Sequence, residues 1–128
     1  MAATVLIIED NEDNALIMSV WLKHAGYHVV LAHDGTCGVA LARSMHPDVI
    51  LMDVALPGMD GWMAARALRE DAVTRDIPII ALTAMALPQD AERAREAGMA
   101  LYLAKPVSLA RVLESVQQVL DATVTGAP

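Results

Sequence analysis

The sequence predicts an open α/β fold, with five short parallel strands alternating with five helices that cover both faces of one sheet. Three observations carry this expectation. Short apolar runs recur, among them Val5-Leu6-Ile7-Ile8, Val49-Ile50-Leu51-Met52 and Ile77-Pro78-Ile79-Ile80-Ala81-Leu82, and they lack the alternation of a half-exposed strand. Each gap between runs holds one helix-length segment, and parallel strands need crossovers of about a dozen residues or more. Polar residues with chemistry to offer, Glu9, Asp10, Asp53, Thr83 and Lys105, stand where the strands meet their following loops.

The elements follow in order. The first strand is Thr4 to Ile8. A helix from about Asn11 to Ala25 follows an acidic, cap-rich segment and ends at Gly26. Val29 to Ala32 is the second strand, and His33-Asp34-Gly35 the turn after it. Thr36 to Met45 is the second helix, weakened by Gly38 and stopped by Pro47. The third strand runs into Asp53, where Pro57, Gly58 and Gly61 mark a loop before a helix over Gly61 to Glu70. Strand four covers Ile77 to Leu82, with Pro78 tolerated at its start and Thr83 at its end. The helix from Pro88 to Ala97 has a face built mostly of Ala91, Ala94 and Ala97, so it is expected to be the least firmly anchored. Strand five is Ala100 to Ala104. The last helix, from the cap Ser108 to Ala122, carries a stripe of Leu109, Val112, Leu113, Val116, Val119 and Leu120. Residues 1–122 are expected to form one domain, 123–128 a short flexible tail, with no output domain attached.

Composition sets the bounds. A chain of 128 residues, 55% apolar, is long enough for one packed core and argues against disorder. No apolar run approaches the roughly 20 residues that span a bilayer, and no secretory leader is visible. Cys37 stands alone, which fits a reducing cytoplasm, and a formal charge of −7 disfavours direct nucleic-acid binding. His24, His28, His33 and His46 lack ligand spacing and read as surface or loop residues. Trp21 and Trp62 read as partly buried packing residues, with partner contact as the lesser reading, and Met52, Met59, Met63, Met85 and Met99 as gap fillers around the loops, with an adaptable partner surface as the alternative.

In an open sheet of this kind the functional crevice lies beyond the carboxyl ends of the strands. Three clustered carboxylates, Glu9, Asp10 and Asp53, repel one another unless compensated, and a hard divalent cation with oxygen ligands answers that problem. A metal, Lys105 and the Thr83 hydroxyl together suit a transferring phosphoryl group, which gives Asp53 the role of nucleophile. Phosphorylation adds about −1.5 to −2 charges, enough to draw in the Thr83 hydroxyl and bias the weakly held fourth helix.

The motifs Ile7-Ile8-Glu9-Asp10-Asn11, Met52-Asp53 with Leu56-Pro57 and Asp60-Gly61, Leu82-Thr83-Ala84, and Tyr102-Leu103-Ala104-Lys105-Pro106 occur in order. Through them the chain resembles response-regulator receiver domains from Val5 to about Leu120. The resemblance implies a flavodoxin-like (βα)5 sheet in strand order 2-1-3-4-5. It implies that Asp53 is phosphorylated by a phosphohistidine donor, a histidine kinase or histidine phosphotransfer protein docked on the first helix. Asp10, Asp53 and the Ala55 carbonyl would bind Mg²⁺ (or Mn²⁺), with Glu9 acting through water. Lys105 would contact the phosphoryl oxygens, Thr83 and Tyr102 would act as coupled switch residues, and the Lys105–Pro106 bond would be cis. The fourth and fifth helices and the fifth strand would present the readout surface to a downstream protein target, from a monomer or a phosphorylation-dependent dimer. The chain would catalyse its own phosphorylation and dephosphorylation without a dedicated small-molecule substrate. It departs from the usual pattern in Glu9, where Asp is commoner, and in Val107, where many relatives carry an aromatic residue.

Other readings stand beside this one. A metal-dependent phosphohydrolase could use Asp53 as nucleophile, yet the position of its usual acid/base is Ala55. A flavin binder would need a phosphate-cradling loop after strand one, where Glu9 to Asp13 would repel the phosphate. A receiver cut from a hybrid histidine kinase would share all the chemistry.

Overall fold

The computed structural model describes residues 3–54, 60–83, 88–104 and 108–125; at 88–91 and 123–125 it describes the helical backbone alone. The elements are β1 (Thr4–Ile8), α1 (Glu12–His24), β2 (His28–Ala32), α2 (Gly35–Met45), β3 (Val49–Asp53), α3 (Gly61–Glu70), β4 (Ile79–Thr83), α4 (Pro88–Glu96), β5 (Leu101–Ala104) and α5 (Leu109–Thr125). All strand pairs are parallel, and the sheet order is β2-β1-β3-β4-β5. β3 is central and buried at every residue, which accounts for its unbroken apolar sequence.

Strand alternation divides the core into two layers. Val5, Ile7, Val49, Leu51, Ile80 and Leu82 face α1 and α5, meeting Met18, Leu22, Val112 and Val116. Leu6, Ile8, Ile50, Met52, Ile79 and Ala81 face the other side, where Ala42, Ala64, Leu68 and Ala94 come from α2, α3 and α4. Tyr27 ties the start of β2 to α5 by donating its hydroxyl to Gln117 Oε1 at 3.1 Å. Burial, with Asp121 nearby, raises its phenol above the ordinary tyrosine range.

The helix starts follow local chemistry. Asn11, Asp34, Asp60 and Ser108 each accept a bond from a backbone N–H three residues on, at 2.7 to 3.1 Å, so each helix begins just after its cap. Asn11 is therefore the cap of α1, and α2 starts at Gly35 rather than Thr36. β4 begins at Ile79 rather than Ile77, because Pro78 has no N–H for the ladder, although its carbonyl still accepts from Ile50 N at 3.0 Å. β5 begins at Leu101, and α4 closes at Glu96. α5 runs to Thr125 rather than ending at Ala122, since no residue before Gly126 breaks a helix.

Leu51 is fully buried in the central strand. Leu51→Ala is expected to lower unfolding stability by about 3 kcal/mol, read from urea denaturation with an unchanged m-value.

Candidate functional site

The register assembles the site. Ile8 stands opposite Met52, so Glu9 and Asp53 leave the sheet side by side. Asp53 stands opposite Leu82, with Thr83 next along β4, and Thr83 stands opposite Ala104. Because every strand is parallel, all of these termini lie on one edge. Glu9, Asp53 and Thr83 are buried and Asp10 is exposed. Glu9, Asp10 and Asp53 each offer a carboxylate oxygen, all within 4.8 Å of one another. Strand alternation puts Thr83 on the side of Ile79 and Ala81, the side that α4 covers.

The backbone next to Asp53 is tightly held. Val54 N donates to Leu82 O at 3.0 Å, and Gly61 N donates to Val54 O at 2.9 Å. Asp60 caps α3 by accepting from Met63 N at 2.9 Å. A Cβ on Gly61 would lie 2.3 Å from Val54 Cα and 2.8 Å from Asp53 O, so only glycine lets α3 start this close to the acidic strand end.

Of the residues singled out from sequence, Glu9, Asp10, Asp53 and Thr83 converge at this edge. Tyr102 is half-buried on β5, opposite Ala81 and packed in the layer that α4 covers. Ala55, Lys105 and Pro106 lie outside the described residues, as do Met59, Met85 and Val107. All four histidines are exposed, as expected. Met52 and Met99 are buried, whereas Met63 is exposed.

Trp21 does not pack as expected. It stands 47% exposed beside Leu16 (59%), Ile17 (48%) and Val20 (55%) on the face of α1 opposite Ala15, Met18, Ser19 and Leu22. α1 is thus apolar on both sides, and one side meets water. The signal was in the sequence: a helix apolar all round has more to cover than one sheet offers. Trp62, by contrast, packs against the core.

Among the described residues the donor set is three carboxylates, which suits a hard divalent cation, so these residues fit Mg²⁺. A parallel, doubly wound α/β sheet with such an oxygen-rich pocket at its carboxyl edge defines a class of small phosphate- or metal-handling proteins. Comparison with known sequences narrows the class: residues 5–117 match the response regulator receiver domain. The chain is 38% identical over 120 residues to the polar-differentiation response regulator DivK of Brucella ovis, covering 94% of this chain and 98% of that one. Among solved structures, the receiver domain of a sensor histidine kinase from Pseudomonas aeruginosa is 40% identical, with a TM-score of 0.86 over 94% of this chain and 99% of that one; it holds a magnesium ion in its active-site cleft. The chemotaxis protein CheY4 of Vibrio cholerae is 32% identical, with a TM-score of 0.89 over 94% of this chain and 100% of that one. The chain belongs to the response regulator receiver family of two-component signalling.

Gly61→Ala is expected to lower stability by about 2 kcal/mol, since the added methyl meets backbone atoms instead of a movable side chain; thermal unfolding checks it.

Proposed function

We propose that the chain is a phosphoacceptor switch, with Asp53 as the residue that takes a phosphoryl group from a phosphohistidine donor. The observation that carries this reading is the juxtaposition of Asp53 with Glu9, Asp10 and Thr83 at one sheet edge in a member of the receiver family. An Asp53 carboxylate oxygen would form the new O–P bond as the donor's N–P bond breaks, the imidazole keeping the bonding pair. Asp10, Asp53 and the Ala55 carbonyl would hold Mg²⁺ (or Mn²⁺), with Glu9 reaching it through water. When bound, the ion would neutralise charge on the transferring group. The magnesium in the Pseudomonas relative supports this assignment. Lys105 would meet the phosphoryl oxygens, and its bond to Pro106 would be cis. Thr83 would follow the new charge, and Tyr102 would move with it to alter the surface of α4, β5 and α5 for a downstream protein.

The exposed apolar face of α1 suits the donor's docking. Leu16, Ile17, Val20 and Trp21 rise from a helix whose N-terminus adjoins Glu9 and Asp10, so a helical partner covering them brings its phosphohistidine to the pocket. Among the described residues no helix is long and apolar enough to cross a membrane, and the lone Cys37 agrees with a cytoplasmic setting. A second reading, a receiver segment of a hybrid histidine kinase, is favoured by the 40% identity to such a domain.

Incubation with acetyl phosphate and Mg²⁺ is expected to add one phosphoryl group by intact mass, absent in Asp53→Asn and with EDTA. No adduct, together with no beryllofluoride binding, overturns the reading. Trp21→Ala is expected to slow phosphorylation by a histidine phosphodonor about tenfold while leaving labelling by acetyl phosphate unchanged, as measured by parallel time courses.

A further inference from the structure

Over 92–96, where its side chains are described, α4 puts little apolar area into the core. Among its described side chains only Ala94 is buried, and alanine buries little area. A cavity of about 800 Å³ separates it from α3, with Trp62, Met63 and Arg66 on one wall and Arg93, Glu96 and Ala97 on the other. The helix therefore has room to swing. Its carboxyl end does not.

There Arg69, in the last turn of α3, spends its guanidinium on three backbone carbonyls. Nε donates to Gly98 O at 3.1 Å, Nη2 to Ile77 O at 2.8 Å, and Nη1 to Arg75 O. The first belongs to the turn after α4 and the other two to the loop before β4. A planar fork of this kind fixes direction as well as distance. Half-burial of the group lowers its pKa, with Asp76 acting the other way, so its charge is partly desolvated and its bonds gain strength. Gly98 lets the fork approach: it sits at φ +80°, and a Cβ there would lie 2.8 Å from Arg69 Nε and 3.0 Å from Arg69 Cδ. Further up α4, Arg93 lies over the Trp62 ring, 4.4 Å from its centroid, a contact that can slide without breaking a fixed geometry.

We propose that Arg69 is a positioning residue that pins the carboxyl end of α4 as a pivot, so that movement at the Thr83 end of β4 becomes a swing of α4 that slides Arg93 across Trp62. The inference rests on the phosphoacceptor reading. It assigns Arg69 to transmission and gives it no contact with the reacting atoms.

The test uses the full chain carrying Trp21→Phe, which leaves Trp62 as the only one of the two tryptophans. Mg²⁺ and beryllofluoride, which occupies an acceptor carboxylate in place of a phosphoryl group, are titrated while bound fluoride is followed by ¹⁹F NMR and Trp62 by emission. The parent is expected to show bound fluoride and a change in Trp62 emission. Arg69→Met and, independently, Gly98→Ala are expected to bind with a midpoint no higher than the parent's, while the Trp62 change falls about threefold. Arg69→Lys, able to keep one bond at a time, is expected to restore part of it. Circular dichroism checks folding, and Gly98→Ala decides the matter if Arg69→Met does not fold. Bound fluoride with an undiminished Trp62 change in the folded variants, or with no Trp62 change in the parent, overturns the pivot and leaves the phosphoacceptor reading standing. Absence of bound fluoride in the parent overturns the pivot, and with no acetyl-phosphate adduct either it overturns the phosphoacceptor reading as well.

Discussion

Two buried carboxylates at one sheet edge, Glu9 and Asp53, set the terms for the rest of the molecule. With oxygens within 4.8 Å, two such charges repel by about 3 kcal/mol at an effective dielectric of about 20. Such an arrangement calls for a rigid base and for compensation by hydrogen bonds, a cation or a proton. The base is β3, buried at every residue and paired on both sides, together with the closure of Gly61 onto Val54 that fixes where α3 begins. An all-oxygen donor set of this kind suits a hard divalent cation.

α3 stands between the core and α4. On one side α3 buries Ala64, Ala65 and Leu68 and joins the core. On the other it faces α4 across an open groove, touching it through the Trp62–Arg93 stack and the Arg69 bond to Gly98. A switch needs an element with two positions of similar energy, and the proposed pivot at Arg69 assigns that part to α4. α1 presents a different economy. Its solvent-facing side keeps Leu16, Ile17, Val20 and Trp21 about half exposed, a contiguous apolar patch of the kind that marks interaction surfaces.

How much of this was legible in the sequence follows from how local each cause is. Strand and helix identities, the caps and the edge that collects Glu9, Asp10, Asp53 and Thr83 all follow from short-range pattern and from the parallel sense of the strands. Element ends were less legible where two local rules compete, as at Pro78, where strand propensity and the missing N–H pull apart. Gly38 read as a weak point in α2, yet a Cβ there would lie 2.4 Å from Ile8 Cδ1, so it is the close fit against β1 that uses it. Trp21 was misjudged because periodicity tells which residues are apolar, and only the packed molecule tells which apolar face the sheet covers.

By itself the sequence determined the alternation of strands and helices and the chemistry carried to their ends, because hydrophobic period, caps and turn residues act over a few positions. The tertiary structure decided distances and allegiances. It alone put the three carboxylates within reach of one another, turned one side of α1 to solvent, and gave Arg69 its three carbonyls. The geometry of those contacts depends on how whole elements pack, and several of them, such as Glu9 with Asp53 and Arg69 with Gly98, join residues far apart in the chain, which no local pattern encodes.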